Sequence, residues 1–198
     1  MAGRPREFDR KLALAKARDV FWSRGYEGVS MADLVDTMGI ASARIYAAFR
    51  SKEALFREAV ELYASDEGGF AERAVQEETT AIRAIERSLR EAIENCTRKG
   101  RPPGCMVVSA ATNCSAENQG VQEFLADYRS RRTVLLAQRL KRAVADGELR
   151  PDTDVAGLAD HYAAILIGIA VQARDGVSRK RLLATVPPAM TALQAVVM

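Results

Sequence analysis

SMADLVDTMGIASARIYAAF, residues 30–49, reads as two short helices held across a tight turn with one face left free. Ser30 opens the first of them with an S-x-x-D start of the capping-box type, its hydroxyl placed to accept the amide of Asp33. Met31, Leu34, Val35 and Met38 follow at i, i+3, i+4 and i+7 and form one apolar stripe. Gly39 supplies the positive φ that other residues adopt only at a cost, and Ile40 turns back toward the core. Ser42 is placed to cap the second helix. Ile45 and Phe49, four residues apart, bury one side of it, so that Ala43, Arg44, Tyr46 and Ala47 point outward. This spacing is a helix-turn-helix pattern, and a free helical face of that kind fits a DNA major groove.

The flanks complete a small domain. Ala13, Ala17, Val20 and Phe21 mark an earlier amphipathic helix that ends at Gly25, so three helices close a core around Phe21, Leu34, Ile45 and Phe49. Ser51 then caps a fourth helix, whose amino end and Lys52 suit a phosphate.

The run from about Lys11 to Phe56 resembles the DNA-binding domain of the TetR family of bacterial transcriptional regulators. Phe21, Gly25-Tyr26, Gly28, Ser30, Gly39-Ile40, Ser42, Ile45-Tyr46, Phe49 and Ser51-Lys52-Glu53-Ala54-Leu55 carry the likeness. It implies an all-α fold, with a three-helix reader over residues 1–50 and a helical effector-binding and dimerisation domain over 51–198. The fourth helix, about 52–65, is shared as connector. It further implies a homodimeric repressor of an inverted-repeat operator, released by a small-molecule effector, with no cofactor. On the family pattern Ser30, Tyr46 and Lys52 hold phosphates, while Ala43, Arg44 and Ala47 approach base edges. Arg44 is the best base reader, since a guanidinium makes two bonds to guanine. The two alanines depart from the bulkier or polar residues common there.

Charge agrees with a reader at the amino end. Residues 1–60 hold 11 Lys and Arg against 8 Asp and Glu, while residues 61–198 hold 18 of each sign, so the whole excess of +3 lies beside the helix-turn-helix. Arg4, Arg6, Arg10 and Lys11 suit an arm onto the DNA backbone or minor groove, and equally a solvated terminus. The amino end lacks an apolar signal core, and the longest strongly apolar run, residues 163–171, is shorter than a bilayer span, so the expected location is the cytoplasm without membrane contact. Cys96, Cys105 and Cys114 form no C-x-x-C pair and are odd in number, which argues against a disulfide framework and a zinc site.

The rest of the chain predicts helices throughout, about nine in all. A fifth helix to about Thr97 is stopped at residues 101–104, RPPG; a short apolar segment, 105–114, leads into a long helix over about 118–145; another runs from Asp154 to about Arg174, and a last follows Ser178. The last two carry apolar faces suited to dimerisation, with Leu158, Tyr162, Ile165, Ile169, Leu182, Met190 and Leu193 as interface residues and Pro187-Pro188 predicting a kink or split. Tyr63, Phe70, Met106, Asn113, Phe124, Tyr128 and His161 are the candidates for an effector pocket. Cys105, after the Pro-Pro break and near Arg98, Lys99 and Arg101, is the first candidate for a reactive thiol, Cys114 the second, and Cys96 the inert one. Small buried hydrophobes are the plainer account of all three.

Other classes find little support. A single histidine excludes multi-histidine metal sites, and no P-loop, G-x-G-x-x-G or nucleophile elbow is present, so neither an enzyme nor a metal site is expected. A protein-interaction module remains an alternative that salt-dependent DNA binding would separate.

Overall fold

The computed structural model describes residues 9–198, so Arg4 and Arg6 lie outside the described residues. Its helices are α1 (Arg10–Arg24), α2 (Met31–Met38), α3 (Ser42–Phe49), α4 (Lys52–Ser65), α5 (Phe70–Glu77), α6 (Ala81–Cys96), α7 (Met106–Ser109), α8 (Gln119–Ala145), α9 (Val155–Arg174), α10 (Arg179–Leu183) and α11 (Val186–Gln194), with a 3-10 turn at Ala116–Asn118. Nine of these are eight residues or longer, as expected, but one expected helix of the body is divided. The predicted fifth helix is two. Thr80 caps α6 by accepting the Arg83 amide at 3.3 Å, and Glu148 accepts the Ala81 amide at 2.6 Å. Buried Arg139 takes the Thr79 carbonyl and the same Glu148, each at 3.0 Å. Donors and acceptors that a continuous helix would keep for itself are thus used by side chains from α8 and the loop after it.

α1 lies along α4, with α2 and α3 closing the three-helix head. An aromatic trio holds it: Phe56 meets Phe21 and Tyr26 edge-on, each with centroids 5.1 Å apart. This core runs without a break into the body, where α5, α6, α8 and α9 pack on one another. Pro187 and Pro188 do not kink a helix. They occupy the first turn of α11, where a missing N–H costs nothing, and the chain breaks before them between α10 and α11.

α9 is long and apolar enough to cross a bilayer by length and composition. Here it packs along α6 and α8. Its packing corrects the predicted interface: Tyr162, Ile169, Leu182, Met190 and Leu193 are all buried in their own subunit, Tyr162 donating its hydroxyl to the Ala189 carbonyl at 3.1 Å. Leu158 and Ile165 are half-buried. The uncovered face of α9 is instead Asp160, His161, Ala164, Ile167 and Val171, and His161 is therefore exposed on that face. The helix is apolar on nearly all sides, so sequence periodicity alone does not say which side turns inward.

Candidate nucleic-acid interface

The head is fixed by its caps. Ser30 Oγ accepts the Asp33 amide at 3.1 Å and Asp33 Oδ2 accepts the Ser30 amide at 2.8 Å, a complete capping box. Arg24 Nη1 donates to Asp33 Oδ1 at 2.8 Å. The bonds from Ser30, with Arg24 behind them, hold the Asp33 carboxyl below the usual carboxylate range. Gly39, at φ 72° and ψ 28°, closes α2 by donating to the Val35 carbonyl at 2.9 Å.

α3 differs from expectation at its start. Ala41, not Ser42, is the N-cap, and no side chain caps the helix, so the first amides of α3 stay open at its outer end. Ile45 and Phe49 are each 1% exposed and pin the helix to the head, while Ala43, Arg44, Tyr46 and Ala47 are exposed and Ser42 is half-buried. One face of α3 is therefore covered and the other is free.

The turn from α3 to α4 carries a feature that the sequence reading missed. Arg50 sits at φ 70° and ψ −49°, and the Ser51 amide reaches back to the Phe49 carbonyl at 2.8 Å. This is the classic γ-turn, a strained conformation for a residue with a Cβ. Arg50 alone among the described non-glycine residues has a positive φ, and it lies directly beside the proposed reading surface. No glycine marks the position, so the sequence held no signal for it. Ser51 caps α4 as predicted, accepting the Ala54 amide at 3.0 Å.

Lys52 and Arg10 are engaged by neighbours within the head. Lys52 Nζ lies 4.2 Å from the centroid of the Tyr26 ring, and burial lowers its pKa while Glu27 opposes that shift. Arg10 donates to both oxygens of Glu58, at 2.8 and 2.7 Å, and stacks over Phe49, so it belongs to the head and not to a free arm. Lys11 is exposed in the first turn of α1.

The predicted effector residues are only partly brought together. Tyr63, Phe70 and Met106 are buried in the core, and Phe124 and Tyr128 meet edge-on at 5.1 Å in half-buried positions. Asn113 lines a separate small cleft of about 180 Å³ with Arg24 to Gly28. An open cleft of about 520 Å³ lies between Cys114–Gln119 and α8, and Arg129, which the sequence does not single out, borders it. A second groove, about 540 Å³, runs between the end of α6 and α9–α10.

The cysteines also depart from expectation. Cys105 is 2% exposed and precedes a helix of only four residues, and Arg101 is engaged elsewhere, so the predicted dipole and cationic support are small. Burial first, then neighbouring Cys105, push the Tyr63 phenol well up, and the same two causes raise the Cys96 thiol. Cys114 is half-buried, and burial and Glu27 raise its thiol against the pull of Lys52.

Residues 13–59 match the family described as bacterial regulatory proteins, tetR family, and residues 81–186 match the tetracyclin repressor-like C-terminal domain. The HTH-type transcriptional repressor ComR of Escherichia coli (strain K12) is 35% identical over 185 residues, covering 91% of this chain and 87% of that protein. The chain belongs to the TetR family. BdcR, an HTH-type transcriptional repressor of the same strain, is 27% identical over 98% of this chain and 93% of its own length. Among solved structures, a cysteine mutant of the TetR-family regulator CifR complexed with 26-bp double-strand operator DNA superposes with a TM-score of 0.91 at 43% identity, over 95% of this chain and 98% of that one. This TetR-family chain is accordingly a DNA-binding transcriptional regulator, and its helix-turn-helix is α2–α3.

Proposed function

We propose that the protein is a homodimeric repressor that binds an inverted-repeat operator through α3 and leaves it when a small molecule binds the body. The carrying observation is the two-sided α3: Ile45 and Phe49 are locked inward while Ala43, Arg44, Tyr46 and Ala47 stay uncovered. Arg44 reads bases, Tyr46 and the open amides at Ser42 and Ala43 meet phosphates, and Lys52 joins them by swinging off the Tyr26 ring. Ser30 contributes at the start of α2. The operator-bound CifR and the repressor ComR support the reading. Residues 1–50 form the reader and 51–198 the effector and dimer unit, with α4 between them, and the protein acts in the cytoplasm, where bacterial DNA lies.

Dimerisation uses the free face of α9, whose Ala164, Ile167 and Val171 would otherwise stand in water. A two-fold pair places the two α3 helices about 34–36 Å apart, one turn of the duplex. Selection of bound fragments from a random DNA library tests the proposal: a palindromic motif is expected, bound more weakly as salt rises. A monomer indifferent to DNA at low ionic strength would overturn it.

A thiol-triggered form of the same switch would act through Cys105, which lies in the body beside Cys96 and Tyr63. Operator release by peroxide that persists unchanged in Cys105→Ser removes this second reading.

A further inference from the structure

The α4–α5 turn, residues 66–69, joins α1 of the head to α6, α8 and the loop after α6. Glu67 is 5% exposed, and so is Arg18 on the inner face of α1. Arg18 Nη1 donates to Glu67 Oε2 at 3.2 Å, and Arg18 Nε donates to Asp19 Oδ1 at 2.9 Å. Arg101, from the loop between α6 and α7, reaches the same two carboxylates. Its Nη1 donates to Asp19 Oδ2 at 3.2 Å, and its Nη2 makes an ion contact with Glu67 Oε1 at 3.0 Å. Two guanidinium groups and two carboxylates thus close a neutral network across three segments of chain.

The turn itself is gripped on its other sides. Asn95 of α6 donates to the Glu67 carbonyl at 3.1 Å, and Arg132 of α8 donates to the Gly68 carbonyl at 3.0 Å. Gly68 lies so close to Tyr63 that a Cβ there would stand 2.6 Å from its ring. That ring meets Trp22 of α1 edge-on at 4.8 Å.

Apolar contact is non-directional and lets one helix slide on another. A buried carboxylate with one oxygen hydrogen-bonded to Arg18 and the other, without a hydrogen bond, in ion contact with Arg101 resists sliding, because a slide would strand a charge away from water. We propose that Glu67 is a positioning residue for DNA recognition: through Arg18 it sets the tilt of α1, and so of the whole reader, while Arg101 and Asn95 carry the state of the body to it. The inference rests on α3 being the operator-binding helix and on twofold pairing. Withdrawal of Arg101 leaves the Arg18–Glu67 pair under-compensated, which frees α1 to tilt and spoils the spacing of the two readers.

The test places one nitroxide on each protomer at Leu12→Cys, an exposed position on α1, in a Cys114→Ser background, and measures the distance between labels. Unaltered residues at the network should give a narrow distribution and tight binding to the selected operator. Glu67→Gln and Arg101→Ala should each widen the distribution at least about twofold and weaken operator binding about tenfold, with Arg101→Lys restoring part of both. Val121→Ala, a buried substitution on α8, should lower the melting temperature and leave the distribution narrow. If Glu67→Gln does not fold, Arg101→Ala, whose side chain is partly exposed, carries the test. A narrow distribution and full affinity in folded Glu67→Gln and Arg101→Ala would overturn the proposal and leave the network merely structural. Failure of the parent chain to select a palindrome or to show any distance between labels would instead strike the operator and dimer reading, and the inference with it.

Discussion

Replacing Arg50 by glycine should stabilise the protein while weakening its hold on DNA. Arg50 adopts φ 70° and ψ −49° in the γ-turn between α3 and α4, with the Ser51 amide bonded to the Phe49 carbonyl. A residue with a Cβ held in such a region costs about 1–3 kcal/mol, and glycine relieves that strain. Glycine also gains freedom in the unfolded chain, which offsets about 0.5–1 kcal/mol. The net gain is about 1 kcal/mol, which for a chain of this size raises the thermal midpoint by about 2–4 °C. Arg50→Ala removes the same charge and keeps the strain, so it should melt close to the parent. Calorimetry or circular dichroism on the three proteins separates the cases. Both variants lose an exposed cation beside the reading helix, and if it meets a phosphate the log–log salt slope falls by about 0.9 in each. Equal melting of Arg50→Gly and Arg50→Ala, or a glycine variant below the parent, would refute the reasoning.

Arg44→Ala should relax base preference by about 5–150-fold, the equivalent of ~1–3 kcal/mol, and Lys52→Ala should weaken cognate and scrambled sites alike, as measured by fluorescence anisotropy across a salt series. Equal losses on both sites for Arg44→Ala would count against its base-reading role. Ser30→Ala removes one half of the capping box and should cost about 1 kcal/mol in urea denaturation. Glu27 accepts the Ser115 amide and hydroxyl and an Asn118 amide, which hold its carboxyl below the usual 4.5. Because its folded pKa is depressed, its contribution is complete above about pH 4.5 and is lost as pH falls through the folded value. Glu27→Gln should therefore flatten the acid limb of stability against pH, read from thermal midpoints between pH 3 and 6.

The head was legible because its signals are local. Ser30 and Asp33, Gly39, the Ile45–Phe49 pair and Ser51 act within a few residues of one another, and each does in the structure what its spacing says, apart from the shift of the α3 cap to Ala41. All-helical character and the early break before Pro187 and Pro188 were equally plain, since capping chemistry and proline geometry need no tertiary partner. Tertiary structure alone decided which side of α9 turns inward, because an apolar helix has no sequence-encoded outside until α6, α8 and α11 cover part of it. It also divided the expected fifth helix by lending it Arg139 and Glu148, and it gathered Arg18, Asp19, Glu67 and Arg101 from three distant stretches into one network around the buried Arg18–Glu67 pair. Along the chain those four look like ordinary solvated residues, and it is the burial of Arg18 and Glu67 that makes their pairing matter.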